Sequence, residues 1–336
     1  MAFSNTYDVD NNGSAVSNRE DLTDVLTILA PEETPILSSA QKQRASATNT
    51  EWTVDSLSAP STAGIVEGDD IGTFTDQFAG RARMGNYTQK FRRDYRVSDL
   101  QEAVDSVGPA KIAQAEAKAI RELKRDIEAT LCSANVKQQA TAALPYKMTG
   151  LGGFIDSGAA ATTVPVGFTT PASSIYTTTE SAANAFSETA LNDIISSIFE
   201  VNGVSNGLVL VADVGLRRVI SDFARLSTVS TETSIRNVNY DGGVAAIKLS
   251  VEMYQSDHGI VSIVNANPDC MPNFGGATAN SSGYLLNPEY YGVHELIPMG
   301  STRLPNQGGG ERGFVDCALT LGVYHPQAHG LIQDVS

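Results

Sequence analysis

The stretch NYTQKFRRDYRV, residues 86–97, alternates between two kinds of side chain. One face carries the apolar and aromatic side chains of Tyr87, Phe91, Tyr95 and Val97. The opposite face carries the polar and charged side chains of Thr88, Lys90, Arg92, Asp94 and Arg96. Because successive side chains of a β-strand point to opposite faces, this alternation predicts a half-buried strand.

A second strand is predicted upstream, in EWTVDSL at residues 51–57, where Trp52 and Val54 alternate with polar residues. Between the two strands lies a polar, glycine-rich excursion over residues 58–85, which contains Glu67, Asp69 and Asp70. Two strands around nearly thirty residues with little core predict a long extended hairpin. Since an isolated hairpin is marginally stable in water, we expect it to lie against another surface.

The returning strand is strongly basic. Residues 81–96 contain one acid and six bases, a net charge of +5, and the bases are Arg81, Arg83, Lys90, Arg92, Arg93 and Arg96. Three interpretations are open: a solvated strand face, a nucleic-acid strip, or a surface that docks on an acidic partner. Residues 1–33 carry a net charge of −6, so neighbouring copies of the chain could supply the acids from this arm or from residues 67–70. We expect the aromatic face of Tyr87, Phe91 and Tyr95 to pack on such a neighbour.

The rest of the chain predicts a layered α+β unit. Residues 110–132 lack Gly and Pro and predict a spine helix of roughly 35 Å. An amphipathic helix is predicted from the helical spacing of its apolar residues, which are Leu191, Ile194, Ile195, Ile198 and Phe199, and Gly203 and Gly207 stand at its exit. A central strand at 208–212 and a helix capped by Asp213 are predicted to follow it. Strands are expected at 248–255 and 260–265, short strands at 284–298, and a closing strand at 314–324.

The composition and motifs exclude several classes of function. The net charge of −15 disfavours a dedicated nucleic-acid binder, and no apolar run approaches a membrane span. The polar N-terminus does not resemble a signal peptide, and three separated cysteines do not indicate a disulfide framework. The stretch DVDNNG at residues 8–13 begins like a calcium loop, but Arg19 stands where the final Glu belongs.

The remaining candidate residues predict no site of chemistry. We interpret His325 and His329 as surface residues, His258 as a turn residue and His294 as a strand residue. No nucleophile elbow or phosphate loop is present. We therefore predict no catalytic, metal-binding or cofactor-binding residue, and no enzyme.

The order of these elements resembles the major capsid protein of tailed bacteriophages, which has the Hong Kong 97-like fold. The segments that carry the resemblance are REDLTDVLTILAPEETPIL, TNTEWTVDSL, EGDD, NYTQKFRRDYRVS, ELKRDIEATL and VLVADVGLRRVISDF, together with the turn at 257–259. It covers residues 18–330. It implies an N-terminal arm (1–50), an extended loop (51–97), a peripheral domain with the spine helix (98–187 and 301–336) and an axial domain (188–300).

The predicted function is that of a structural protein, made in the host cytoplasm, which assembles as hexamers and pentamers into the icosahedral head of a virion around double-stranded DNA. The resemblance implies a portal, a separate scaffolding protein, a possible decoration protein, and non-specific contact with DNA, without a membrane. Three alternatives remain: an encapsulin-like nanocompartment shell, a head decoration or tail component, and a hydrolase with an unrecognised site.

Overall fold

The computed structural model describes residues 33–104, 111–177, 186–203, 207–223, 238–241, 244–247, 252–272 and 282–333. The calcium-like loop at 8–13 lies outside these residues, and so do two further features that the sequence predicts: a helix that begins after Asn18 and a break in the chain at Gly108-Pro109. No helix in the described ranges is long and apolar enough to cross a membrane.

The described residues form a mixed α+β chain. Its helices are α1 (Pro35–Ser39), α2 (Asp99–Ala103), α3 (Lys111–Cys132), α4 (Leu151–Phe154), α5 (Glu188–Asn202) and α6 (Val214–Phe223). Its strands are β1 (Gln41–Arg44), β2 (Asn49–Val54), β3 (Ala82–Tyr87), β4 (Gln89–Val97), β5 (Ile175–Thr177), β6 (Leu208–Ala212), β7 (Val238–Asp241), β8 (Val244–Ile247), β9 (Met253–Ser256), β10 (Gly259–Asn265), β11 (Gly283–Leu286), β12 (Tyr291–Leu304), β13 (Glu311–Val323) and β14 (Gly330–Gln333).

The spine helix α3 packs against a four-stranded sheet of order β1-β12-β13-β4. The sequence predicts an apolar edge of Ile120, Leu123, Ile127 and Leu131 on this helix; the last three are fully buried and Ile120 is partly buried. The closing strand β13 buries Val315, Cys317, Leu319, Leu321 and Val323 on one face, as its alternation predicts. The prediction of only short strands at 284–298 is wrong for β12, because its antiparallel pairing with β13 continues to Leu304.

A six-stranded sheet of order β5-β14-β11-β6-β10-β9 forms the second layer, with β6 in the interior as predicted. Helices α5 and α6 cover one of its faces through Leu191, Ile195 and Leu216. The predicted burial of Phe199 is wrong: its side chain is 39% exposed and stacks on His258, with 5.2 Å between the ring centroids. α5 ends at Gly203, whose φ of 67° is the left-handed conformation that favours glycine.

The larger hydrophobic cluster joins the two layers, because it contains Leu321 of the four-stranded sheet and Val211, Tyr284 and Leu331 of the six-stranded sheet. Two elements cross the predicted domain division. β12 continues past residue 300, where the predicted axial domain ends. β14 lies in the predicted peripheral domain, but it pairs with β11 of the axial domain as well as with β5. The division into arm, loop, peripheral and axial parts stays a prediction.

The prediction that His329 lies on the surface is wrong, because its side chain is completely buried. Its Nδ1 accepts the backbone N–H of Asn287 at 3.2 Å, at the turn between β11 and β12. Its ring also lies edge-on to Tyr291. Burial lowers the pKa of His329 to about 4; a hydrogen bond with the backbone of Tyr290 opposes this shift and the nearby His325 adds to it.

We expect His329 to make the fold sensitive to acid. Its pKa is about 4 when folded and 6.5 ordinarily, so the unfolded state binds more protons between these values. The stabilisation is present above pH 6.5 and is lost as the pH falls to 4, up to about 3 kcal/mol. Chemical denaturation of the wild type and of His329→Asn at pH 7 and pH 4 checks this. An equal loss of stability in the two proteins would contradict it.

Candidate assembly interface

Within the segment predicted as the extended loop (51–97), residues 55–81 leave the body of the protein as a projection, and these residues are the extended loop of the structure. β2 and β3 pair in antiparallel register from Asn49↔Tyr87 to Val54↔Ala82, so the loop begins where the ladder ends. The hairpin is confirmed, but its returning strand is β3, which lies mostly within the predicted excursion over residues 58–85. Every residue of the loop is exposed. Its large apolar side chains are among the most exposed of the described residues: Leu57, Ile65, Val66, Ile71, Phe74 and Phe78.

The base of the hairpin is held firmly by the core. Val54 and Met84 are buried, and Trp52 lies between Phe154 and Tyr324, with ring centroids 6.2 and 6.1 Å away. Asn86 is fully buried and its amide donates to the carbonyl oxygens of Thr149 and Leu321. The loop therefore projects from an anchored base.

The strand predicted over residues 86–97 is divided in the structure. Residues up to Tyr87 belong to β3 and pair with β2, whereas β4 begins at Gln89 and pairs with β13. Thr88 turns the chain between them, and its N–H donates to the carbonyl of Thr48 at 2.7 Å. Apolar and polar residues alternate almost without interruption from β3 to β4, so the periodicity of the sequence could not reveal that the strand is divided at Thr88.

The prediction that the aromatic face packs on a neighbouring copy is wrong for Phe91 and Tyr95. Both are only 7% exposed and belong to the larger cluster of their own chain, because the spine helix α3 packs on that face of the sheet. The Tyr95 hydroxyl bonds to Ser301 at 3.0 Å. Tyr87 is half-buried and lies against Tyr146, with ring centroids 5.6 Å apart.

Four of the six bases of the band are paired within the chain. The pairs are Arg81–Asp55 (2.8 Å), Arg83–Glu51 (3.3 Å), Lys90–Asp316 (2.9 Å) and Arg93–Asp126 (2.6 Å). The guanidinium of Arg81 also lies 4.2 Å from the ring centroid of Phe78, and its hydrogen bond lowers the pKa of Asp55. Arg93 binds both carboxylate oxygens of Asp126 on the spine helix, which raises its pKa.

Arg92 and Arg96 are the two bases of the band without an ion pair to a described residue. Both are exposed on the face of β4 that points away from the spine helix. Arg312 of β13, which sequence reasoning did not single out, lies directly opposite Arg96 in the ladder. Like charges opposite each other in a sheet repel, so this end of the sheet favours an added anion.

The acids of the loop are separated from these bases within one chain. Glu67, Asp69 and Asp70 lie on the exposed turn around Gly68, and none forms an ion pair with a described residue. Among the described residues no group of three His, Cys, Asp or Glu side chains could hold a metal ion. The three cysteines are buried free thiols, and burial raises the pKa of Cys317 to about 12.

Sequence reasoning also missed Glu128. It lies on the buried stripe of α3 and is 1% exposed. Its carboxylate accepts the backbone N–H groups of Ile36 and Leu37, more than ninety residues away. An acid next to Ile127 in a long helix ordinarily indicates the border of the solvent-exposed face, so the sequence carries no signal of this contact.

Comparison with solved structures shows the same fold in several capsids. The chain is similar to the capsid of the cyanophage P-SCSP1u (13% identity, TM-score 0.59), covering 99% of each chain. It is similar to the capsid of a native GTA particle (12%, 0.60; 98% of this chain, 99% of that one) and to a chain of Mycobacterium phage Cain (11%, 0.60; 100% of both). These matches confirm the predicted α+β capsid fold of the Hong Kong 97 type.

No sequence among the curated proteins matches the chain significantly. The sequence profile of the SU10 major capsid protein family, however, matches residues 4–336, nearly the whole chain. The chain therefore belongs to the SU10 major capsid protein family, and its function is that of a structural protein of the phage head shell.

Proposed function

We propose that copies of this chain assemble as hexamers and pentamers into an icosahedral head around double-stranded DNA, linked by the extended loop. The exposed apolar side chains of that loop carry the proposal. Full burial of one such side chain contributes roughly 1.5–3 kcal/mol, and a monomer rarely leaves so many together in water. A neighbouring copy supplies the surface that the loop lacks in its own chain.

Expression of the chain, alone and together with its phage partners, tests this proposal. We expect closed particles in electron micrographs and a fast-sedimenting species. A protein that stays a 35.5 kDa monomer in every assembly condition would contradict it. The contents of the particles separate a DNA-filled head from a compartment that encloses an enzyme.

A charge contact between copies is the second part of the proposal. The acids Glu67, Asp69 and Asp70 of one loop would meet the open sheet face of a neighbour. The intrachain ion pairs reduce the candidate bases from six to Arg92 and Arg96, with Arg312 beside them. Opposite charges that meet across an interface steer association and set its register.

Reversing the charge of Arg92 and Arg96 to Glu should reduce the yield of particles by about tenfold at low salt. The subunit should remain folded, because both side chains are exposed. Changing Asp69 and Asp70 to Lys in the same chain should restore assembly, since the charges are exchanged. Particle yield from sucrose gradients measures the effect, and normal yields from the Arg92/Arg96 variant would refute the charge contact.

The same charge reversal at Arg93 tests a different contact. Because Arg93 is bound to Asp126 in its own chain, its loss should lower the stability of the subunit as well as assembly. We therefore choose Arg92 and Arg96, whose replacement separates assembly from folding.

The remaining roles follow from the family and the resemblance. We infer that residues 1–50 form an N-terminal arm, residues 98–187 and 301–336 a peripheral part, and residues 188–300 an axial part at the five-fold and six-fold centres. A separate scaffolding protein, a portal, a possible decoration protein and non-specific DNA contact complete the proposal. A structural family supports a role without catalysis.

A further inference from the structure

The arm root, residues 33–44, is the segment that joins the N-terminal part of the chain to the core. It contains α1 and β1, and β1 pairs in parallel with β12. α1 has only five residues, and Thr34 at its start makes no side-chain cap. So short a helix has no stability of its own, so its position depends on tertiary contacts.

Glu128 supplies the missing cap from the spine helix. One carboxylate oxygen accepts the N–H of Ile36 at 2.9 Å and the other accepts the N–H of Leu37 at 2.9 Å. These two N–H groups lie in the first turn of a helix and have no partner within it. Each donor therefore depends on Glu128.

The surroundings of Glu128 show that the carboxylate serves the arm root alone. The titratable groups that face it are Cys132 on its own helix, Cys270 in the loop after β10 and Tyr291 on β12. None of these carries a positive charge, and Glu128 forms no ion pair with a described residue. A buried carboxylate is unfavourable unless hydrogen bonds satisfy it, and the two backbone N–H groups do so.

We infer that Glu128 is the positioning residue that sets where the N-terminal arm leaves the subunit, by locking the arm root to the spine helix. Two further hydrogen bonds also attach the arm root to the core: Asn267 donates to the carbonyl of Glu33 at 2.9 Å, and the Ser39 hydroxyl bonds to the Tyr291 hydroxyl at 2.7 Å. These contacts hold the edges of the arm root, whereas Glu128 holds its centre. The consequence for assembly rests on the proposed function.

Glu128→Gln tests the inference. The amide oxygen can accept one N–H, but the amide nitrogen then faces the other N–H as a second donor. We expect hydrogen exchange of residues 33–40 to become about tenfold faster in isolated subunits, because one buried donor is left unpaired. Exchange in β13 should be unchanged. Glu122→Gln is the matched control on the same helix: its side chain is 39% exposed and pairs with Lys118 instead of the arm root, so this variant should behave as the wild type.

Two exchange results would overturn the inference: wild-type exchange at residues 33–40, or an equal increase throughout the core, which is the signature of a general loss of stability. If Glu128→Gln does not fold, Glu128→Asp replaces it, since it keeps the charge on a shorter side chain. Failure of both variants to fold would also refute a positioning role.

The yield of closed particles is a second measurement, independent of hydrogen exchange. Glu128→Gln subunits should give at least about fivefold fewer closed particles than Glu122→Gln subunits, and normal particle yields would overturn the effect on assembly. If wild-type subunits form no particles at all, the proposed function fails, while the exchange experiment still decides the role of Glu128.

Discussion

Subunits in which Ile65, Val66 and Ile71 are replaced by Ser should fold normally and fail to form closed particles. The three side chains are at least 73% exposed in the chain, so their replacement changes the free energy of unfolding by less than about 0.5 kcal/mol. In a shell, each Ser would lack the stabilisation that an apolar side chain gains when a neighbouring copy buries it. We expect particle yield to fall by more than about tenfold, because the loss recurs at every copy.

The control for this experiment is Val166→Ser. Val166 is 87% exposed but lies outside the extended loop, so the same kind of substitution should leave assembly unchanged. Thermal unfolding and sedimentation measured on the same preparations separate folding from assembly. Particles of normal yield and stability from the triple variant would show that the loop does not link the copies.

Replacing Asn86 by Asp should destabilise the subunit by about 4 kcal/mol at neutral pH. The Asn86 amide nitrogen donates to two carbonyl oxygens, at 3.1 Å from Thr149 and 2.8 Å from Leu321. Its oxygen accepts the N–H of Thr149 at 2.8 Å. An ionised carboxylate would place a charged acceptor against two acceptors at a site without solvent.

Urea denaturation of the wild type and of Asn86→Asp measures this loss. Asn306→Asp makes the same chemical change in an exposed turn, where the amide donates to Asp99 at 3.5 Å, and should change stability by less than about 1 kcal/mol because solvent screens the exposed charges. Equal stability of Asn86→Asp and Asn306→Asp would contradict the role of Asn86. Because Asn86 joins β3 to β13, its loss should also loosen the base of the extended loop.

The basic strand shows how far sequence reasoning reaches. Its two-fold alternation predicts which side chains are buried, and Phe91 and Tyr95 are buried as the pattern requires. What buries them is a separate question, and the prediction that a neighbouring copy does so is wrong. The apolar pattern of a strand face is the same whether α3 or a second copy covers it. Only the folded chain shows that α3 is the element that covers it.

The charged side chains make the same point. A net charge of +5 over residues 81–96 predicts an attraction for acids, yet Asp55, Glu51, Asp316 and Asp126 satisfy four of the bases within the chain. Asp126 and Asp316 are remote in sequence from their partners. A count of charges along the sequence cannot identify these pairs, because they form only when α3 packs on β4 and β13 pairs with β4 in the sheet.

By itself, the sequence determined the features that depend on neighbours along the chain: the spine helix, the hairpin around the extended loop, the interior strand β6, the glycine that ends α5, and the family to which the order of motifs belongs. These follow from periodicity and local backbone preferences. Only the tertiary structure decided the break at Thr88, the burial of His329, which two bases of the band lack an ion pair to a described residue, and the hydrogen bonds from the arm root to Glu128. Each of these depends on groups that are distant in sequence and are brought together by the packing of whole elements, so no local pattern records them.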